Sequence, residues 1–345
     1  MPLSVLYFPR NEGKEGFGMK ANLQALCDQF IENRDIIKSA FRWDSHYLFP
    51  VCANLFCARG ETASEKLLAE CRDLIKASTG VFSAFRGNIR VPVACMLALS
   101  SGPQAQLEQA LKNYKALKGS FWSSDYLALA AFMITELGGD ARIDQIVTRG
   151  KRLYDRMRKE HPFLTASEDS IFAVLLAFSD RSDDDLVQDM EETYRLLKER
   201  FHSSNCVQTM SHVLALTEGS AGDKAARVIS LYDAVAQAGG KYGKHYELAT
   251  LAALAGMKQN EKEIAADMMD ADAFLAQQKG YGGLGIDRRT RLMHAAMIVS
   301  DQFTARERVD QAAMTGTLSM IIAQQMAMCA CIASTTAAAQ SASSH

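Results

Sequence analysis

Polar side chains recur along the sequence in short segments that lie just before, or at the start of, apolar stretches. They include carboxylates, which are suited to general acid–base chemistry, and arginine and histidine side chains, which bind anions. We take the following as candidate ligand-binding residues: Arg86, Asn88, Arg90, Asp125, Asp169, Asn205, His245, Glu247 and Arg288. No nucleophile with a matching base can be identified, so the sequence predicts no catalytic residue.

Helix capping is the competing explanation for most of these residues. Ser, Asp and Asn at a helix start accept hydrogen bonds from free N–H groups, and the positive end of the helix dipole favours carboxylates. Arg86, Arg90 and His245 fit this explanation poorly, because the same field disfavours positive charge. We therefore expect something else to hold these three side chains, either a ligand or a salt bridge to Asp125 or Asp169 of a neighbouring repeat.

Two further segments resemble binding motifs but are better interpreted as turns. GYGGLGIDRRTR (280–291) contains G-x-G-x-x-G, yet it follows a helical segment instead of the β-strand that a dinucleotide site requires. Its N–H groups and arginines leave anion binding as an alternative. Asp184, Asp185 and Asp189 are spaced D-D-x-x-x-D, which differs from the magnesium motif D-D-x-x-D, and they are interpreted as a helix start. The sequence predicts no metal and no cofactor.

Composition and charge limit the class of protein. The chain has 345 residues, a formal net charge of −2 and a pI near 6.4, so no whole-molecule field favours nucleic acid or an anionic membrane. Neither is expected as a partner, which leaves a protein, a peptide or a small anionic ligand. The eight cysteines form no C-x-x-C pair and lie mostly in apolar runs. This pattern favours reduced core thiols in a cytoplasmic protein.

The candidate residues lie in a repeat of about 40 residues, the length of two helices with their turns. Aromatic residues open each repeat: Phe41, Phe85, Phe121, Phe163, Phe201, Tyr242 and Tyr281. A second aromatic marker keeps the same period in the other half of the repeat: Tyr114, Tyr154, Tyr194, Tyr232 and Phe274. We predict that Tyr114, Tyr154 and Tyr194 are largely buried between successive hairpins.

The segment 163–201 illustrates the predicted elements. A polar start leads into IFAVLLAF, which is apolar on all sides and predicts a buried helix. SDRSDDD then predicts a turn and a second helix start, and LVQDMEETYRLLKER predicts an amphipathic helix with a basic end. Repeated seven times after a leading helix, this pattern predicts an all-α fold of α/α hairpin repeats. We expect an open superhelix more than a closed toroid.

The predicted repeat domain covers residues 19–334. An irregular N-terminal extension (1–18) precedes it, and a disordered tail (335–345) follows it. The length of the apolar segment 317–334 would suit a membrane anchor, but Gln324 and Gln325 lie near its centre. We interpret it as a helix that covers the end of the array.

Six segments that match in order resemble a bacterial family, domain-of-unknown-function family 4003. They are FRGN (85–88), SSDYLALAAFMI (123–134), HPFLTASED (161–169), SHVLAL (211–216), KYGKHYELATLAAL (241–254) and the Gln-Ala-rich C-terminal segment. The resemblance spans roughly Met19 to the C-terminus. It implies an all-helical bacterial protein, without an assigned activity or site residues.

Two functions from different classes follow from this sequence. The first is a cytoplasmic binding or scaffold protein that uses a polar groove along one edge of the array, since stacked hairpins form concave surfaces. The alternative is an enzyme of the α/α-toroid type that acts on a carbohydrate or an isoprenoid, with Asp125, Asp169 and Glu247 as its carboxylates. A closed ring would gather these carboxylates around one central pocket, whereas an open array would spread them along a line.

Overall fold

The computed structural model describes residues 19–257, 259–282 and 285–310, and these residues form 14 α-helices and no β-strand. Long and short helices alternate from α1 to α13, and the inner helix α14 is an exception with 23 residues. The long, outer helices are α1 (Ala21–Ala40), α3 (Glu65–Ser78), α5 (Pro103–Leu117), α7 (Ile143–Glu160), α9 (Asp183–Lys198), α11 (Ala221–Gln237) and α13 (Glu261–Ala276). The inner helices are α2 (Leu48–Cys57), α4 (Arg90–Ala98), α6 (Asp125–Glu136), α8 (Asp169–Leu176), α10 (Ser204–Leu214), α12 (Leu248–Ala255) and α14 (Arg288–Asp310).

The sequence of each helix explains its place. The inner helix α12, LATLAALA, is buried at every residue, as expected for a segment that is apolar all round. The outer helix α7 buries a single stripe that includes Ile146, Leu153 and Met157 and exposes its charged face. Four outer helices, α3, α9, α11 and α13, are capped by side-chain oxygens that accept a backbone N–H of the first turn, from Ser64, Ser182, Ser220 and Asn260.

The contacts between helices run around a closed circuit. Each outer helix packs against the next outer helix, and α1 also packs against α13 and α14 at the other end of the chain. Lys20, just before α1, forms an ion pair with the buried Asp267 of α13, with 2.8 Å between Nζ and Oδ1. The guanidinium of Arg34 in α1 lies over the ring of Tyr281, 5.5 Å from its centroid. The first and last hairpins are therefore joined by packing, charge and ring contacts.

This circuit shows that the sequence-based preference for an open superhelix was wrong. An open array would leave the faces of α1 and of the last helices without each other's contacts. The physical reason for closure is that the outer layer is wider than the inner layer. Bulky amphipathic helices form the outside, and short helices such as LATLAALA form the inside. The angle between successive hairpins depends on this packing, and it cannot be predicted from the length of the repeat.

The two aromatic markers of the repeat pack against each other. Phe85 contacts Tyr114 edge to face, with 5.4 Å between ring centroids, and Phe201 contacts Tyr232 in the same way at 5.2 Å. Each pair fastens the loop between an outer and an inner helix to the next outer helix, since Phe85 and Phe201 lie in such loops and Tyr114 and Tyr232 lie in α5 and α11. The Phe121–Tyr154 pair has the same geometry at 5.7 Å.

One member of the predicted aromatic series was wrong. Phe163 is 99% exposed, and His161 takes its place by packing against the Tyr194 ring at 4.5 Å. With His161 the spacing from Phe121 and to Phe201 is more regular than with Phe163. The imidazole of His161 thus has the role that aromatic carbon rings have in the other repeats.

The tyrosines are less buried than the sequence predicted. Tyr114, Tyr154 and Tyr194 occupy equivalent positions on their helices, but each is only half-buried, with its ring on the core and its hydroxyl toward the surface. The residue before each tyrosine is the buried one. Tyr154 donates a hydrogen bond to the carbonyl of Ala166 at 3.2 Å, which shows why an amphipathic ring suits this boundary position.

Some predicted segments lie outside the described residues. These are the N-terminal extension 1–18, the apolar segment 317–334 and the tail 335–345. Within the described residues, no helix is both long enough and apolar enough to span a bilayer.

Candidate functional site

The loops that lead from each outer helix into the next inner helix lie together at one end of the circuit, and we call them the rim. They are residues 41–47, 79–89, 118–124, 161–168, 199–203, 238–247 and 277–287 without 283 and 284. Contacts between neighbouring loops confirm their common location, as in the hydrogen bond from Arg288 Nη2 to the carbonyl of Gly239 at 3.0 Å. The connections from inner to outer helices form the opposite end, which we call the turn end. The candidate residues from the sequence lie on the rim or at the first turns of the inner helices behind it.

Arg86 holds the end of an outer helix. Its guanidinium donates to the backbone carbonyls of Lys76 and Thr79, and its Nε donates to Thr79 Oγ1 at 3.1 Å. These carbonyls belong to the C-terminal end of α3, where a helix has unpaired acceptors and favours positive charge. Arg86 thus serves the negative end of the preceding helix. The expected salt bridge to Asp125 or Asp169 is not among its contacts.

Arg90 forms a salt bridge, but with a different carboxylate from the two that were expected. Its Nη2 lies 2.6 Å from Asp44 Oδ1, and both side chains are partly buried. Asp44 belongs to the loop between α1 and α2, so this pair joins two neighbouring rim loops. The pairing explains a positive charge at the first residue of α4 without a ligand.

Asp125 fastens the loop of the preceding hairpin. Its Oδ2 accepts the backbone N–H of Asn88 at 3.1 Å, and its carboxylate lies so close to Gly87 that a Cβ there would be 2.5 Å from an oxygen. Burial raises the pKa of Asp125, and the Asn88 N–H opposes that shift. The Asn88 side chain lies at an exposed position. Any side chain other than hydrogen at position 87 would displace this carboxylate.

Asp169 and His212 form a buried pair between α8 and α10. Asp169 Oδ1 lies 3.5 Å from His212 Nδ1, and Asp169 Oδ2 accepts the Ala166 N–H at 2.9 Å. Burial raises the pKa of Asp169 to about 7, and burial together with the charge of His161 lowers that of His212 to about 3. His212 is therefore neutral at physiological pH, and the pair is not a salt bridge.

Polar atoms without a hydrogen-bond partner lie beside this pair. Gln208 donates from Nε2 to Thr165 Oγ1 at 3.1 Å, but its Oε1 and His212 Nδ1 have no hydrogen-bond partner among the described residues. Such atoms are costly when buried. A carboxyl that titrates near neutrality beside them is the arrangement in this fold that most resembles acid–base machinery. All of these side chains are almost completely buried.

Glu247, which directly precedes the inner helix α12, has the same role as Asp125. Its Oε2 accepts the backbone N–H of His245 at 3.0 Å, and its carboxylate packs against Gly243. The Tyr242 hydroxyl donates to the Glu247 carbonyl at 2.9 Å, which closes the loop onto the start of α12. The His245 side chain is exposed. Only its backbone enters this network.

The remaining candidates have ordinary helix-start contacts. Asn205 is exposed, and its carbonyl accepts the Thr209 hydroxyl. In the Gly-rich loop, Gly280 and Gly282 have positive φ, and Asp287 accepts the N–H groups of Arg289 and Thr290. Because these two N–H groups at the start of α14 already donate to Asp287, they are not free to bind another anion.

The acidic turn also has a structural explanation. Asp183 pairs with Arg149 and Arg152 of α7, with 2.8 and 3.0 Å between the charged atoms. Ser182 caps α9 by accepting the Asp185 N–H. The carboxylates thus cap one outer helix and tie it to the previous one.

Exposed aromatic side chains are the feature of the rim that the sequence analysis missed. Phe82, Phe163, Trp122 and Trp43 have exposed fractions of 102, 99, 90 and 88%, and Val81 is exposed beside Phe82. They are the large hydrophobic side chains exposed in the described part of the chain, and all lie in the rim loops of the first four hairpins. The sequence does contain a signal for them, namely FW at 121–122 and VF at 81–82, each beside Gly or Ser. Outside a helix, the second residue of each pair has no apolar helix face to which it could belong.

A family model described as Protein of unknown function (DUF4003) matches residues 33–327. The match confirms the resemblance of the six segments, over a slightly shorter range than expected. No curated protein and no solved structure matches the chain.

Proposed function

The chain belongs to this family of proteins of unknown function, and we propose that it is a binding protein whose binding surface is the rim. The observation that carries the proposal is the location of the exposed hydrophobic side chains, which all lie on one end of the circuit. A single exposed hydrophobic side chain is ordinary on a folded domain, whereas several that are confined to one end of it mark a candidate interaction surface. Four separate loops each expose one aromatic side chain, which is hard to explain by packing.

The polar candidates support this proposal as the framework of the rim. Arg90 with Asp44, Asn88 with Asp125, and Glu247 with His245 fix three of the rim loops to a neighbour or to a helix start. A rim held in this way presents its aromatic side chains without a large loss of conformational entropy on binding. The role assigned to these residues thereby changes from contacting the ligand to positioning the loops.

The chain offers a specific reporter for the test. Its two tryptophans, Trp43 and Trp122, are both on the rim and both almost fully exposed. Tryptophan emission of the full chain should therefore be that of a water-exposed indole and should shift to the blue when a ligand covers the rim. The probes are polyglutamate, single-stranded DNA, an oligosaccharide mixture and lipid vesicles. If none of them changes the emission or its quenching by acrylamide, the proposal fails for these classes.

The second candidate is an enzyme of the α/α-toroid type, and two observations favour it. The helix contacts close into a circuit, and Asp169 has a pKa raised to about 7 beside buried polar atoms. Against it, Asp125, Asp169 and Glu247 are each engaged by a loop N–H. A carbohydrate and isoprenoid substrate screen tests it. Turnover with a pH profile near 7, lost in D169N, would replace the first proposal with this one.

A further inference from the structure

The rim combines its exposed aromatic side chains with a positive charge that the net charge of the molecule conceals. Each outer helix runs from the turn end to the rim, and most carry basic residues in the last turn, such as Lys38, Lys76 and Lys115. Acidic residues lie in the first turns at the opposite end. The favourable placement of charge on each helix dipole therefore adds up to two ends of unlike charge.

Acidic residues are few in the rim loops of the first four hairpins, although the ends of the outer helices carry the exposed Glu160 and Asp73, which pairs with Lys76. The rim loops of the first four hairpins contain only Asp44 and Glu168, which are both partly buried, and Asp44 is paired with Arg90. Each exposed aromatic side chain has a basic residue close to it in the sequence, in the same loop or in the last turns of the outer helix before it. Arg42 lies over the Trp43 ring at 5.1 Å, and the other aromatic side chains follow a basic residue by four to six positions, as Phe82 follows Lys76, Trp122 follows Lys118 and Phe163 follows Lys159.

We propose that the rim of the first four hairpins docks onto the surface of an anionic lipid bilayer, with Trp43, Phe82, Trp122 and Phe163 inserted into its interfacial layer. This inference rests on the proposed binding role of the rim and names the partner. Tryptophan and phenylalanine are favoured at the boundary between headgroups and acyl chains. Lysine and arginine behind them are attracted to anionic headgroups.

The form of the exposed surface favours a bilayer over a macromolecular partner. The aromatic side chains project singly from separate loops and are almost fully exposed, so no groove surrounds them. Single-stranded nucleic acid binds along a groove that follows its backbone, and protein partners use anchors set in packed pockets. Four projecting tips at one end of a rigid ring match a flat, soft surface that adapts to them.

The distribution along the ring also sets an orientation. The exposed aromatic side chains belong to the first four hairpins, whereas the rim loops of the last three expose polar side chains such as His202, Lys241 and Lys244. The docked ring is therefore tilted, with the first four hairpins toward the bilayer. The acidic turn end faces away from the anionic surface.

The experiment uses the full chain with phosphatidylcholine vesicles that contain or lack phosphatidylserine. We expect binding to the anionic vesicles, a blue shift of tryptophan emission and quenching by brominated acyl chains. Binding should weaken as salt is raised. Because both tryptophans are on the rim, these signals report the rim itself and not another part of the chain. Binding without a blue shift or without bromine quenching would overturn the inference.

Variants distinguish the residues that contribute. F82S and F163S keep both tryptophans and change fully exposed positions, so they should fold as the parent chain does, and each should weaken binding to anionic vesicles about ten-fold. K159E should weaken it several-fold, whereas the matched control K66E, which reverses a charge at the turn end, should not. Equal effects of K159E and K66E, or no effect of F82S and F163S, would contradict the inference.

Other outcomes separate this inference from the proposed function. If polyglutamate or single-stranded DNA shifts the tryptophan emission and vesicles do not, the rim is a binding surface but its partner is a macromolecular anion, and the bilayer inference is wrong. If vesicles bind only through a part of the chain that F82S and F163S leave intact, the bilayer inference is wrong, and the role of the rim is then decided by the emission changes with the other probes.

Discussion

Asp169 shows how one buried carboxyl can make stability depend on pH. Its folded pKa is raised by burial from 3.8 to about 7, so between these values the folded state binds a proton that the unfolded state has released. Stability contributed by this group is therefore lost as pH rises from about 4 to 7, and the loss stays constant above that. His212 acts in the opposite direction, because its lowered pKa costs stability as pH falls below 6.5.

The first prediction is that D169N is stabilising at neutral and alkaline pH. Asparagine cannot ionise, and its amide oxygen can still accept the Ala166 N–H. A shift of about three pKa units corresponds to at most about 4 kcal/mol above pH 7. Urea unfolding of both proteins from pH 4 to 8 measures this. The difference between them should grow toward pH 7, while D184N, a change at an exposed carboxylate, should show no such trend.

The second prediction concerns Arg86, which the sequence singled out as a ligand contact. Its bonds to the Lys76 and Thr79 carbonyls predict that R86A destabilises the protein by about 1–3 kcal/mol, because these acceptors lose a charged donor. Differential scanning calorimetry beside the tryptophan titration provides the measurement. An unchanged melting temperature together with lost ligand binding would restore the original interpretation of Arg86 as a site residue.

At the scale of elements, the hairpins are fastened in the same way at successive positions. Aromatic pairs such as Phe121–Tyr154 tie a rim loop to the next outer helix. At the turn end, Arg149 and Arg227 each donate to three backbone carbonyls at the end of the inner helix or in the connection that follows it. These contacts satisfy backbone groups that the ends of short inner helices leave unpaired.

The third prediction tests an aromatic pair. Since Tyr154 is half-buried, Y154A should cost about 1–3 kcal/mol, less than the full truncation of a buried aromatic. Y154F removes only the hydroxyl that binds the Ala166 carbonyl and should cost about 1 kcal/mol. In a double-mutant cycle with F121A, a coupling of about 0.5–1.5 kcal/mol is expected for the ring contact. A coupling near zero would mean that the two rings contribute independently.

At the scale of the whole molecule, closure of the circuit makes the first and last hairpins depend on each other. The ion pair between Lys20 and the buried Asp267, and the Arg34–Tyr281 contact, cross this junction. In an open array, loss of these contacts would affect only the two ends of a line. In a ring, loss of these contacts exposes the hairpins on both sides of the interface between the first and the last hairpin.

The fourth prediction is that K20M raises amide hydrogen exchange in α1 and α13 together. Removing one partner of a buried carboxylate should cost about 1–3 kcal/mol. Exchange in α7 and α8, on the far side of the ring, should change much less. K66M is the matched control, since Lys66 is exposed and contacts only its own helix through Glu70 in the described ion pairs. Faster exchange confined to α1 would argue against the closed junction.

The sequence alone determined the helical class and the identity of buried and amphipathic helices, and it predicts a repeat of about 40 residues. These follow from periodicity and capping, which act within a few residues of one another. It also predicts that polar helix starts such as Asp125 and Asp169 lie along one edge of the array.

Only the tertiary structure decided what those residues contact and how the hairpins close. Arg86 reaches the carbonyls of α3, Arg90 reaches Asp44, and His161 replaces an aromatic ring, and each outcome depends on distances between separate hairpins. The closed circuit depends on the angle between packed helices, and small differences in that angle accumulate over seven hairpins. Exposure of Trp122 beside the buried Phe121 depends on which side of a loop faces the core, and two adjacent aromatic letters do not reveal that.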